Sequence, residues 1–122
     1  MRHLIRLNKS LRYAGRGLVR AWQEEDNLKI QSFFALLVVL LGTWLNVERW
    51  EWAFLIVAII LVVGAELVNS AVERLVDMAS PKIDVYAKAI KDIMAAAVFF
   101  SSLGAVILGA LVFLPRFVNF SS

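Results

Sequence analysis

Trp52-Ala-Phe-Leu-Ile-Val-Ala-Ile-Ile-Leu-Val-Val-Gly-Ala65 runs without a charge and then passes into Glu66-Leu-Val-Asn69-Ser70-Ala-Val-Glu73-Arg74-Leu-Val-Asp77. At about 100° per residue, Glu66, Asn69, Ser70, Glu73 and Asp77 fall within roughly a third of a helix circumference. An apolar membrane helix therefore carries carboxylates, an amide and a hydroxyl on one face, with the first acid at or just inside the membrane boundary. Ionisable groups at that depth are costly and mark functional sites. Snorkelling or a polar helix–helix contact explains one acid better than an aligned series.

The rest of the chain fits around that helix. Its 122 residues are the length of one domain,. Hydrophobic residues make up 61% and charged residues 19%, against about 45–50% and about 25% in soluble domains. That excess, gathered into long runs, implies an integral membrane protein. With no cysteine there is neither a disulfide framework nor a thiolate metal site,. Residues 1–22 carry Arg2, Arg6, Lys9, Arg12, Arg16 and Arg20 without an acid. A basic start before an apolar run is also the pattern of a cleaved leader. Here Glu24-Glu25-Asp26 interrupts it and Ser32–Val47 ends in no small-x-small exit, so the segment is read as retained,.

Leu4, Leu7, Leu11, Leu18 and Trp22 recur at helical spacing with Arg and Lys between them, as in a helix lying in the membrane surface,. Gly15 and Gly17 would loosen this helix or admit a close neighbour, and Trp22 reads as an interfacial anchor. A nucleic-acid partner is rejected, because the same charges precede a hydrophobic body. The surface helix and an acidic break occupy residues 1–27, with Asp26 or Asn27 expected to cap the first span. Spans are expected over 28–47, 50–73 and 93–114, the last ended by Pro115-Arg116, with Trp44, Trp50 and Trp52 forming an interfacial belt at the first turn,. A charged connector fills 74–91, broken at Ser80-Pro81. Basic residues concentrate in the N-terminal segment and the connector, which puts both in the cytoplasm and the C-terminus outside a plasma membrane. The lone His3 has no expected role.

This topology gathers the acidic break, the end of the stripe and the Lys88, Lys91, Asp92 set at one cytoplasmic interface. Carboxylates and cations without Cys or His suit a hard metal such as Mg²⁺, held by one or two carboxylates plus substrate phosphates. Phosphoryl transfer needs such charge neutralisation, cations on the phosphates and a group to position the attacking hydroxyl. No phosphate-binding Gly-rich loop or protein-kinase signature is present. The residues alone thus give a cytoplasmic-face, metal-dependent site with an open substrate.

Glu66-Leu-Val-Asn69-Ser70-Ala71-Val72-Glu73 with Val76-Asp77 resembles the signature of the small prokaryotic membrane lipid kinases, the diacylglycerol kinase and undecaprenol kinase family. Ala87-Lys88-Ala-Ile-Lys91-Asp92 and Ala95-Ala-Ala-Val98 match at the family's spacing, as do Arg12-Tyr13-Ala-Gly-Arg-Gly17 and Ala21-Trp22-x-x-Glu25-x-Asn27. The resemblance covers residues 4–114. It implies an all-α homotrimeric bundle with an amphipathic surface helix, three transmembrane helices per chain and active sites shared between subunits, phosphorylating a lipid alcohol with ATP and Mg²⁺. Glu66 looks like the family's catalytic base and Asn69 like the residue that orients it. Glu25 and Glu73 match the metal-binding acids and Lys91 the cation on the phosphates. Tyr13, Arg16 and Asp92 fall where the family contacts nucleotide, with Arg6 the loosest placement.

One departure is Asp84, where family members commonly carry a His, followed here by Val85 and Tyr86 rather than Pro and Leu. The Asp77-Met-Ala-Ser80-Pro81 connector and Asn27-Leu-Lys29 look like Gram-positive-type members, favouring undecaprenol over diacylglycerol. A different class also uses a membrane carboxylate: a small oligomeric proton-coupled transporter working through Glu66. It leaves Glu25, Lys91 and Asp92 without a role.

Overall fold

The computed structural model describes residues 1–79 and 85–121. They form four helices, α1 Arg2–Glu24, α2 Asp26–Trp44, α3 Arg49–Ala79 and α4 Val85–Ser121. The chain is an all-α membrane protein, and α2, α3 and α4 are each long and apolar enough to cross a bilayer,. Inside α2, the Ser32 hydroxyl donates to Leu28 O and the Thr43 hydroxyl to Val39 O, both at 2.8 Å. Both hydroxyls are thus satisfied where water is scarce.

α1 and α2 are separated by one residue. Glu25 is extended (φ −109°, ψ 111°), and its N–H still closes the last turn of α1 on Ala21 O at 2.8 Å. The expected cap by Asp26 or Asn27 is not found. The break is too short, so Glu25 itself occupies the N-cap position without a side-chain cap bond, and Asp26 opens α2. An acid there still favours the positive end of the helix dipole. Gly15 and Gly17 do not loosen α1, which is continuous through both. Nothing lies within 4 Å of a Cβ placed on either.

At the other end of α2, Val47 N–H reaches Gly42 O at 3.2 Å and Asn46 N–H reaches Thr43 O at 3.3 Å. This is a Schellman termination, and it needs a left-handed residue at Asn46 (φ 53°), a conformation that asparagine tolerates. Glu51, in the first turn of α3, accepts the Glu48 N–H at 3.0 Å and so helps to start the next helix,. Trp44 and Trp50 are exposed as an interfacial belt requires, whereas Trp52 turns inward. A Cβ on Gly42 would lie 2.9 Å from Trp52 Cη2, so the missing side chain lets the indole rest on α2.

The buried cluster of Val47, Leu55 and Val112, flanked by Val38, Leu45, Trp52 and Phe113, sits beside this turn. α4 packs mainly against α3, and α3 less extensively against α2. Pro115 does not end α4, which continues to Ser121. Arg116 donates to Glu51 through Nε at 2.9 Å and through Nη2, and to Leu45 O through Nη1 at 3.2 Å. The turn after the proline is thereby fastened to α3 and to the α2–α3 turn. Ser80-Pro81 and Asp84 lie outside the described residues.

A candidate phosphoryl-transfer site at one end of the bundle

α3 continues four turns past Gly64 to Ala79, so the polar stripe lies on one unbroken helix. Glu66 and Ser70, one turn apart, are buried at 4% and 5% exposure, and Asn69 and Glu73 are half-buried. No hydrogen bond or ion pair to Glu66 is found among the described residues. Gln31 Oε1, not an oxygen of Glu66, is the fully buried side-chain atom left without a partner among the described residues, so the Glu66 carboxylate keeps an opening and the freedom a catalytic base needs.

The acidic break is drawn onto the same helix. Ser70 Oγ donates to Glu25 Oε1 at 2.8 Å. Arg74 bonds Glu24 and stands 3.7 Å from Glu25 Oε1. From α4, Lys91 Nζ lies 2.9 Å from Asp77 Oδ1. The Asp77 carboxylate raises the Lys91 pKa above the ordinary lysine value, and the charge of Glu73 adds to the effect. Lys88 and Asp92 pair one turn apart at 2.9 Å, both exposed. The structure thus brings Glu25, Ser70, Asp77 and Lys91 onto or against one end of α3, the end opposite the Glu51–Arg116 pair.

Arg6, Tyr13 and Arg16 are exposed on α1, and among the described residues no hydrogen bond or ion pair ties them to this cluster. They fall within about 80° of one another around that helix. Between α1 and α3 lies a groove of 510 Å³ whose walls include Gly17, Ala21, Leu67, Ala71 and Arg74. Among the described residues, no set of three Asp, Glu, His or Cys side chains could hold a metal ion alone.

Three features lie outside the sequence-based expectations: Arg74 at this end of the bundle, and the Arg116–Glu51 pair and Gln31 elsewhere. Arg74 stands four residues after Ser70 and bridges two acids far away in the chain, which only the bend at Glu25 reveals. The Arg116–Glu51 pair joins positions 65 residues apart with no local signal. Gln31 had a signal, being polar inside an apolar span. Its Oε1 is buried without a partner among the described residues, and the residue lines an apolar groove of 370 Å³ between α2, α3 and α4.

Residues 12–113 match the family model described as prokaryotic diacylglycerol kinase. The chain belongs to the prokaryotic diacylglycerol kinase family. It is 34% identical over 113 residues to an undecaprenol kinase of Bacillus subtilis, covering 93% of this chain and 92% of that protein. A diacylglycerol kinase of Helicobacter pylori is 37% identical over 92 residues, 75% of this chain and 72% of its own. A diacylglycerol kinase of Escherichia coli K12 is 32% identical over 102 residues and 84% of each chain. This member of the diacylglycerol kinase family is therefore a lipid kinase, a membrane phosphotransferase that uses ATP. The transporter reading of Glu66 finds no support in these relatives.

Proposed function

We propose that the protein transfers the γ-phosphoryl group of Mg²⁺–ATP to the hydroxyl of undecaprenol at the cytoplasmic face of the plasma membrane, working as a homotrimer. The observation that carries this reading is the buried, unpartnered Glu66 on a helix whose next turns meet Glu25 and Lys91. Glu66 accepts the lipid hydroxyl's proton as its oxygen attacks the γ-phosphorus, and ADP leaves. Asn69, one turn along α3, orients that base. Lys91 holds phosphate oxygens, while Tyr13, Arg16, Asp92 and Arg6 contact the nucleotide.

The donor set fits Mg²⁺. Glu25 and Glu73 offer oxygen only, and two carboxylates without a third suit an ion completed by phosphates rather than a permanent metal site,. Bound with ATP, the ion would neutralise the phosphate charge. For the lipid, the groove beside Gln31 runs along α3 at Val62 and Val63, one turn before Glu66, and its walls suit a hydrocarbon tail. The spans also leave most apolar surface uncovered within one chain, with only 6% of the apolar window of α4 buried. That surface suits trimer contacts and lipid.

Undecaprenol is preferred to diacylglycerol on the likeness of Asp77-Met-Ala-Ser80-Pro81 and Asn27-Leu-Lys29 to Gram-positive-type members, and the Bacillus subtilis relative is compatible with it, while diacylglycerol kinases match at similar identity. The test is kcat/KM for the two alcohols in the same mixed micelles. Preference for undecaprenol supports the assignment; preference for diacylglycerol overturns the substrate and keeps the reaction. Crosslinking in mild detergent should give trimers. Because the chain lacks cysteine, single cysteines at Ser10 and Asn119 should label from opposite sides of the membrane with an impermeant reagent.

A further inference from the structure

The break between α1 and α2 sets three acids in a row, Glu24, Glu25 and Asp26, at the point where the surface helix turns into the first span. Left alone, adjacent carboxylates repel and splay. In this chain α3 answers them with two groups one turn apart. Ser70 donates to Glu25 Oε1 at 2.8 Å, and Arg74 bonds Glu24 while standing 3.7 Å from that same Glu25 oxygen. Among the described residues, Glu25 Oε2 takes no hydrogen bond. One oxygen of Glu25 is thus fixed and the other is left for a ligand.

We propose that Arg74 is a positioning residue for nucleotide binding: with Ser70 it holds Glu25 against α3 and offsets the charge of Glu24, so that Glu25 meets the metal–nucleotide in a fixed orientation. The proposal rests on Glu25 being a metal-binding acid. Both contacts are made by one nitrogen, Nη2, so a lysine ammonium, a single point charge, can reproduce only part of what the guanidinium does there. The pairs are partly exposed, with the Arg74 side chain at 43% and Glu25 at 27%. The effect is therefore one of orientation and affinity rather than all-or-none loss.

The experiment compares trimeric wild type, Arg74→Ala, Arg74→Lys, Ser70→Ala and Glu25→Gln by equilibrium binding of a non-hydrolysable ATP analogue across a Mg²⁺ titration, alongside KM for ATP and for lipid. Arg74→Ala should weaken Mg²⁺-dependent binding about fivefold, the order expected of a partly exposed ion pair. Lipid KM should stay the same, and Arg74→Lys should recover part of the loss. Ser70→Ala should shift the same curve in the same direction by less, and it serves alone if Arg74→Ala does not fold. An unchanged Mg²⁺ titration in Arg74→Ala or Ser70→Ala, while Glu25→Gln is impaired, overturns the role of Arg74. So does an equal rise in lipid KM, which would indicate general loosening of the bundle. An unchanged titration in Glu25→Gln overturns the metal-binding reading of Glu25, and this proposal with it.

Discussion

Lys91 on α4 reaches across to α3 and places its ammonium 2.9 Å from Asp77 Oδ1, two turns beyond Ser70. The contact fixes which face of α4 looks at the polar stripe. It also keeps a cation beside Glu73, whose charge contributes to the raised Lys91 pKa. The two partners should differ in their effect on catalysis. With Lys91 in the phosphate-binding role proposed above, Lys91→Ala should lower kcat/KM for ATP by about 10²–10³. Asp77→Asn removes only an exposed pair and should cost no more than about fivefold. Steady-state kinetics on both variants decide the matter, and equal losses would make Asp77 part of the reacting machinery. Because Asp77 raises the lysine pKa, the pair is fully formed below the ordinary lysine value and is lost only as pH rises through the shifted one,. Lys91 should therefore impose no limb on the pH profile near neutrality.

Gly42 predicts a packing limit. A Cβ there would stand 2.9 Å from the Trp52 ring, and indole cannot fold away as a flexible chain end can. Gly42→Ala should destabilise the bundle by about 1–3 kcal/mol through overpacking. Gly15→Ala, with nothing within 4 Å, should be neutral or slightly stabilising through helix propensity. Unfolding in detergent, followed by circular dichroism, measures both. A stabilising Gly42→Ala would contradict the α2–α3 contact.

How much of the molecule is legible in its sequence depends on the range of the interaction. The periodicity of Leu4, Leu7 and Leu11 and the three apolar runs are local patterns, and each falls on a helix of the fold. Lys91 and Glu25 could be named as site residues from resemblance, but their partners could not. Asp77, Ser70 and Arg74 meet them only once the one-residue break at Glu25 and the return of α4 set the geometry. Pro115 misled for the same reason. Proline weakens a helix locally, yet the Arg116 contacts to Glu51 and Leu45, formed across the bundle, carry α4 past it. Trp52 looked like its neighbours Trp44 and Trp50, and only the glycine opposite it explains its inward turn.

The Arg116–Glu51 pair should govern stability rather than turnover, since it lies at the far end from Glu66. Glu51 is 4% exposed, and removing Arg116 would strand its charge. Arg116→Ala should lower the thermal midpoint by about 5 °C or more, with kcat of the folded fraction unchanged. Replacing both partners, Glu51→Leu with Arg116→Met, should restore much of the loss, because the stranded charge is then gone. A double variant as unstable as Arg116→Ala would show that the hydrogen bond to Leu45 O, not the ion pair, holds the turn.

The most direct test of the account is phosphate transfer from Mg²⁺–ATP to a lipid alcohol in mixed micelles by trimeric wild type and Glu66→Gln. Glutamine keeps the size of the side chain and cannot accept the proton, so the variant should remain trimeric and bind ATP with unchanged affinity. Its kcat should fall by about 10²–10⁴, the range that general-base catalysis supplies. A Glu66→Gln protein that still transfers phosphate at the wild-type rate would contradict the role of the buried acid around which the site is built.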